Sequence, residues 1–272
     1  MSSYHYLAVE ESAKVAVIKL NRPDKANAIN LDMWREIGAV FKWVDETPSV
    51  RAAVLMGEGK HFCAGIDLEF LQGMTSKLAN LPEGQKQESL RRIILSMQSD
   101  FTAQERCRKP VLSAIHGKCI GGGVDLVTAS DMRFTCDGAT FSVKEIDLGI
   151  VADVGTLQRL PQLVGDGIAR ELALTGREFS AEEAVSWGLV NKSFKNRNDM
   201  EEAVIAMATS IAEKSPLAVR GTKHQLLYAR DHSVAAGLEH VALWNSSMLL
   251  SDEIGIAVSG FLSGRKPEYP DS

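Results

Sequence analysis

The hydrophobic pattern changes period several times along the first half of the chain. Residues 14–20 (KVAVIKL) alternate apolar and polar side chains and stop at Asn21-Arg22-Pro23, which predicts a half-buried strand closed by a turn. From 31 to 44 the apolar positions Met33, Ile37, Val40, Phe41 and Val44 recur at steps of three and four, the stripe of an amphipathic helix. Residues 51–56 read as a second strand running into Gly57-Glu58-Gly59, 90–101 as a helix and 110–115 as a third strand. Residues 134–143 hold a fourth strand with room for a fifth. Strands and helices alternating at these intervals mark βαβ units, so a mixed, mainly parallel twisted sheet between helical layers is expected. The stretch 72–89, rich in Gly, Gln, Lys and Glu, reads as a mobile loop, a linker or a lid.

After Val151 the pattern is mostly helical. Ser180-Ala181-Glu182-Glu183 forms a capping box that opens a short helix, closed by Gly188. Ser215-Pro216 pairs an N-cap with proline at the first helical position, and further helices are predicted over 233–250 and 252–262. The last of these carries Ile254, Ile256, Val258, Phe261 and Leu262, and needs a surface to cover, in its own sheet domain or on a neighbouring subunit.

Composition narrows the classes. The 272 residues are 45% hydrophobic and 24% charged, with 30 basic and 35 acidic side chains, a formal charge of -5. That balance is ordinary for a globular protein and disfavours nucleic acid as a partner. No apolar run approaches the ~18 residues of a membrane span, and the first residues lack the basic and apolar regions of a secretory signal. Cys63, Cys107, Cys119 and Cys136 form no CxxC pair and read as reduced core thiols. Pro270-Asp271-Ser272 is not a peroxisomal address, so a cytoplasmic location is expected.

Two glycine-bearing segments stand out: His61-Phe62-Cys63-Ala64-Gly65-Ile66-Asp67 after the second strand, and Gly117 to Gly121-Gly122-Gly123-Val124-Asp125 after the third. Three consecutive glycines cost roughly 1 kcal/mol each at a helix start relative to alanine. They make sense if backbone amides must approach a ligand, since amides at a helix N-terminus attract negative charge. The specific expectation is that the amides of Ile66 and Gly122 point at one oxygen, an oxyanion hole. Close helix–sheet packing is the competing explanation for the glycine run. The GxGxxG, GK[ST] and GxSxG motifs of dinucleotide sites, P-loops and serine hydrolases are absent.

Taken in order, Asn21-Arg22-Pro23 with Asn27-Ala28, Phe62 to Asp67, Lys109-Pro110 through Gly123, Phe141 to Gly149, Gly155 to Pro161 and Thr175-Gly176 to Val190 resemble the crotonase, or enoyl-CoA hydratase/isomerase, superfamily over nearly the whole chain. The resemblance implies an α/β crotonase-like ββα spiral core, residues 1–200, and a helical C-terminal region, 201–272, for trimer contacts and active-site cover. It implies an acyl-CoA substrate, coenzyme A entering as part of that substrate with no separate cofactor or metal, and a homotrimer or a hexamer built as a dimer of trimers. Lys25, Ala26, Ala28, Ala64, Ile66 and Gly122 would bind the coenzyme A thioester, and Arg265 or Lys266 would approach its phosphates.

The acids favour one branch. Hydratases of this superfamily carry two glutamates at the positions of Asp125 and Glu145, and a glycine where this chain has Asp153. Asp125, Glu145 and Asp153 together resemble the dienoyl-CoA isomerase subgroup. That subgroup shifts a 3,5-diene to a 2,4-diene by removing a C2 proton and adding one at C6. Two carboxyls can serve those distant ends if one starts ionised and the other protonated. Glu145 is assigned as the C2 base, Asp153 as the C6 acid, Asp125 as an electrostatic partner, and Ile66 and Gly122 as the oxyanion donors. Hydration of 2-enoyl-CoA and 3-enoyl/2-enoyl isomerisation are the alternatives, with a silent CoA-binding protein as a third. His224, His232 and His240, spaced by eight, are read as surface or interface groups.

Overall fold

The sheet starts one strand earlier than the periodicity predicts. In the computed structural model, which describes residues 4–272, β1 (Leu7–Ser12) turns back onto β2 (Val15–Leu20), antiparallel, with Leu7 opposite Leu20. The turn residues Ala13 and Lys14 sit at φ 50° and 66°, the left-handed conformation that two-residue hairpins need and Gly or Asn usually supplies. α1 (Leu31–Glu46) follows. Asn30 caps it by accepting the Met33 amide at 2.8 Å, and the predicted stripe, Met33 through Val44, is buried.

β3 (Ala52–Gly57) runs parallel to β2 and is buried along its length. The loop expected over 72–89 is largely helical: 72–78 complete α2 (Leu68–Leu78) and 83–89 open α3 (Glu83–Arg106). Gln, Lys and Glu are good helix formers, and these turns face solvent, so their composition gave no buried stripe to read. Further along, α3 docks on α1 through Met97 and Phe101, whose ring stacks on Trp34 at 4.3 Å.

Two strand–strand–helix steps then follow. β4 (Val111–Ile115), β5 (Lys118–Ile120) and α4 (Gly122–Thr128) form the first; β6 (Met132–Cys136), β7 (Thr140–Ser142) and a 3-10 turn at Glu145–Leu148 form the second. β5 and β7 leave the main sheet to pair with each other and with β8 (Phe179–Ser180). With β9 (Lys192–Phe194), the main sheet has the order β1-β2-β3-β4-β6-β9, every pair after the first being parallel.

The helices of the second half are α5 (Thr156–Val164), α6 (Asp166–Thr175), α7 (Ala181–Ser186), α8 (Arg197–Ala212), α9 (Pro216–Asp231), α10 (Val234–Met248) and α11 (Asp252–Ser263). The capping box forms at α7: Ser180 Oγ accepts the Glu183 amide and Glu183 Oε2 accepts the Ser180 amide at 2.9 Å. β3 divides its side chains by period two. Ala52, Val54 and Met56 pack with Met200, Val204, Ala208 and Ala212 of α8, while Ala53 and Leu55 join the cluster containing Met33, Ile37 and Phe41 of α1. Each large apolar side chain so buried contributes roughly 1.5–3 kcal/mol. α8 carries the chain across position 200 without a break.

The tail is different. α10 buries none of its residues, and Val234 (81%), Leu238 (65%) and Phe261 (88%) stand exposed. Among the described residues, no helix is long and apolar enough to cross a membrane.

Candidate active site

Beyond β3 the chain is stitched to its neighbours on both sides. The Cys63 amide donates to Lys118 O at 3.0 Å and the Ile120 amide to Cys63 O at 2.9 Å, so this loop runs alongside β5. Two residues on, the Ile29 amide donates to Gly65 O at 2.8 Å and the Asp67 amide to Ile29 O at 3.0 Å. Those bonds use the peptide groups flanking Ile66 and leave its own amide turned the other way. Across the gap, Gly121 adopts φ 51° and donates to Ser142 O, which starts α4 at Gly122. The Gly122 amide precedes any helical acceptor. Neither the Ile66 nor the Gly122 amide has a protein acceptor among the described residues. The two approach closely: a Cβ on Gly122 would lie 3.8 Å from Ile66 N, and a Cβ on Gly65 3.7 Å from Gly122 N.

The same turn sets the acids. A Cβ on Gly121 would lie 3.2 Å from Glu145 Oε1, so the missing side chain admits that carboxyl. Asp125, one turn into α4, is buried and accepts the Thr156 amide at 2.7 Å, which fixes the start of α5. Glu145 lies in the 3-10 turn, and among the described residues its buried Oε2 has no protein donor. Asp153 sits on the loop before α5, still exposed to solvent. The amide-bearing residues and all three acids line one cavity of about 230 Å³, whose other walls include Trp34, Leu68, Met97, Leu148 and Val154.

Burial pushes all three carboxyls above their ordinary range, and like charge adds to it at Asp125 and Glu145. For Asp125 burial is the main cause, offset in part by the Thr156 amide; for Glu145 burial leads and the charge of Asp125 adds to it. Asp153 is raised by partial burial. Cys63 is no competing nucleophile, because burial pushes its thiol up to about 12.

Larger hollows of about 540 and 680 Å³ lie elsewhere, and one of about 410 Å³ adjoins the acid cavity, sharing Asp153 and Val154 with it. In the first, against α9, both carboxylates are paired, Glu105 with Arg159 and Asp131 with Lys223. The second lies between α1, α2 and α3 and contains none of the three acids above.

The residues expected to hold coenzyme A divide. Ala64, Ile66 and Gly122 line the acid cavity, whereas Lys25, Ala26 and Ala28 form the adjoining turn, joined to it where the Ala64 amide donates to Ala26 O at 2.9 Å. Ala26 and Asn27 both take positive φ. The turn is held from inside by Asn27, whose Nδ2 donates to the carbonyls of Glu58 and His61, each at 2.8 Å. Arg22 spans the two loops, donating to Ala28 O and Asp67 Oδ2. Although burial opposes it, Arg22 keeps the Asp67 carboxyl below its ordinary range. These braces were present in the sequence as Asn21-Arg22-Pro23 and Asn27, without periodicity to reveal their partners. Lys266 pairs with Glu213, and neither it nor Arg265 reaches the cavity wall.

His224, His232 and His240 do meet, because α9 and α10 pack against each other. Tyr228 stacks on His232 and His240 at 3.8 and 3.9 Å, and His224 lies against His240 and Trp244. His61 accepts the Lys118 amide through Nδ1, and His116 Nε2 bonds Gly59 O.

A family profile described as enoyl-CoA hydratase/isomerase matches residues 10–272. The peroxisomal Delta(3,5)-Delta(2,4)-dienoyl-CoA isomerase of Arabidopsis thaliana is 48% identical over 99% of this chain and 98% of its own length. The mitochondrial enzyme of that name from Homo sapiens is 47% identical over 93% of this chain and 77% of its own. The crystal structure of an enoyl-CoA hydratase from Bacillus anthracis superimposes with a TM-score of 0.88 at 30% identity, covering 98% of this chain and all of that one. With strand–strand–helix steps, two neighbouring free amides and this likeness along its length, the chain belongs to the enoyl-CoA hydratase/isomerase family and has its crotonase fold.

Proposed function

We propose that the protein isomerises 3,5-dienoyl-CoA to 2,4-dienoyl-CoA. The observation that carries this reading is a third carboxyl, Asp153, on the wall of the cavity that holds Asp125, Glu145 and the two free amides. Relatives that bear the dienoyl-CoA isomerase name support it.

In this mechanism the thioester oxygen sits between the amides of Ile66 and Gly122. Ionised Glu145 takes a C2 proton, and the electron pair spreads along the dienyl chain onto the thioester oxygen. The two amides stabilise that charge; loss of one good donor in such a site costs about 3 kcal/mol of barrier. Protonated Asp153 then gives its proton to C6, the electron pair returns, and the double bonds lie at C2 and C4. One proton leaves and one arrives, so the chemistry balances without a separate cofactor. Glu145 ends protonated and Asp153 ionised, and a return transfer through solvent resets the pair. Asp125 raises the basicity of Glu145 by its charge. One of its oxygens is committed to the Thr156 amide, which argues against Asp125 holding a water for hydration.

We also propose that Lys25, Ala26, Ala28 and Ala64 hold the nucleotide end of coenzyme A, and that residues 1–200 form the catalytic core. The exposed apolar faces of α10 and α11 support 201–272 as the region of trimer contacts and cover, in a homotrimer or a dimer of trimers. Four unbridged cysteines support a compartment that keeps thiols reduced; a cytoplasmic location is proposed among such compartments, and co-sedimentation with peroxisomes or mitochondria, the compartments in the relatives' names, would contradict it. The decisive assay offers 3,5-dienoyl-CoA and 2-enoyl-CoA separately. The reading predicts conversion of the first to the 2,4-diene and little water addition to the second. Hydration of the second without turnover of the first would overturn it.

A further inference from the structure

The face of α3 toward the active-site loop carries Gln98, Thr102 and Glu105, spaced by four and three so that they share one side of the helix. Gln98 Nε2 donates to the main-chain carbonyl of Asp153 at 2.6 Å. Glu105 takes Arg159 in a two-pronged pair, at 3.1 and 3.0 Å, and Arg159 Nη2 reaches Thr102 Oγ1 at 3.4 Å. So held, Arg159 lies against the same loop, its Nη1 donating to Val154 O at 3.4 Å. The next residue, Gly155, has φ 130°, and a Cβ there would collide with Arg159 Nη1. On the far side, Asp125 holds the Thr156 amide. Asp153, Val154 and Thr156 are thus each tied by one hydrogen bond, two of the three ties leading to α3. Glu105 also pairs with Arg230 in the last turn of α9, which joins the helical tail to this loop.

We propose that Gln98 is a positioning residue for the acid at Asp153, with the Glu105–Arg159 pair as its second anchor. This inference rests on the isomerase reading, in which Asp153 delivers the C6 proton. The Asp153 side chain is exposed to solvent and, among the described residues, has no hydrogen bond to another residue, so its aim at C6 is set by the peptide that carries it. Gln98 grips that peptide and is not part of the wall of the cavity that holds Glu145 and the two free amides. Its loss should therefore separate the two half-reactions: proton removal at C2 continues, and delivery at C6 slows.

The test uses Gln98→Met, which keeps the side-chain length and removes the donor, with 3,5-dienoyl-CoA in deuterated water. Formation of the 2,4-diene should fall about tenfold, the size of one lost hydrogen bond acting on the second step. KM and deuterium entry at C2 of recovered substrate should stay at wild-type levels. Gln98→Lys, which can again donate to the carbonyl, should recover at least half of the lost rate. Equal losses in product formation and C2 exchange, or an unchanged Gln98→Met enzyme, would overturn the proposal. A wild-type enzyme that exchanges at C2 yet forms no 2,4-diene would instead overturn the isomerase reading beneath it.

Discussion

Gly121, Gly122 and Gly123 divide the two roles that a glycine run can have. Gly121 turns at positive φ and makes room for Glu145, Gly122 presents its amide beside Ile66, and Gly123 packs where a Cβ would lie 3.0 Å from Cys63 Cβ. The packing explanation of the run holds at Gly123, while one residue earlier Gly122 leaves its amide free, as an oxyanion donor requires. The acids yield three predictions. Asp153→Asn should lower kcat for dienoyl isomerisation roughly 10²–10⁴-fold, the usual worth of a positioned acid, with KM nearly unchanged; a wild-type rate would remove Asp153 from the mechanism. Because only ionised Glu145 is a base, kcat/KM should rise with pH around a midpoint above the ordinary glutamate value of about 4.3. Asp125→Asn removes the neighbouring charge and should move that midpoint to lower pH; a move to higher pH would contradict the coupling. The same shift acts on stability. A carboxyl whose folded pKa is raised stabilises the protein below its unfolded pKa, and that contribution is lost as pH rises through the folded value. Glu145→Gln should thus melt roughly 2–6 °C above wild type at pH 8 and lose the advantage near pH 4, as scanning calorimetry at both pH values would show.

Among the elements, the hairpin of β1 and β2 was illegible for a local reason. Its turn is Ala13-Lys14 in left-handed conformation, where the usual Asn-Gly signal is missing, and the half-exposed β1 lacks an apolar run. Left-handed backbone costs a residue with a Cβ about 1–2 kcal/mol. Replacing Ala13-Lys14 with Asn-Gly should stabilise the protein by about 1 kcal/mol, read as a higher urea midpoint at constant slope. A lower midpoint would show that the native side chains contribute more than the turn strain costs. Over 72–89 the reason is the opposite one: residues that favour helices form turns that face water, and their polar composition resembles a loop. By contrast β2, β3, β4 and α1 were legible, since each buries a periodic or continuous apolar set on the sheet. The residues that meet in the candidate cavity, Ile66, Gly122, Asp125, Glu145 and Asp153, were legible from the two glycine-bearing loops and the acids that follow them. Gln98, Arg22 and Asn27 were not, because each acts through a hydrogen bond to a residue far away in sequence, Asp153, Asp67 and Glu58 respectively.

On the scale of the whole molecule, the sheet has covered faces but the tail does not. Phe261 and Leu262 expose most of their surface beside an otherwise buried core, an arrangement that a second copy of the chain would satisfy. Phe261→Ser with Leu262→Ser should shift the mass by light scattering from trimer or hexamer toward monomer; an unchanged mass would place the contacts elsewhere. The Arg230–Glu105–Arg159 chain gives the tail a route to the catalytic loop, so changes in the tail can reach Asp153 as well as assembly.

The most direct test of the two-acid account is the fate of hydrogen when undeuterated 3,5-dienoyl-CoA is converted in deuterated water and the product is read by NMR. The account predicts one deuterium at C6, delivered from solvent-equilibrated Asp153. A product with only hydrogen at C6 would mean that a single group carried the C2 proton along the chain, and would contradict it.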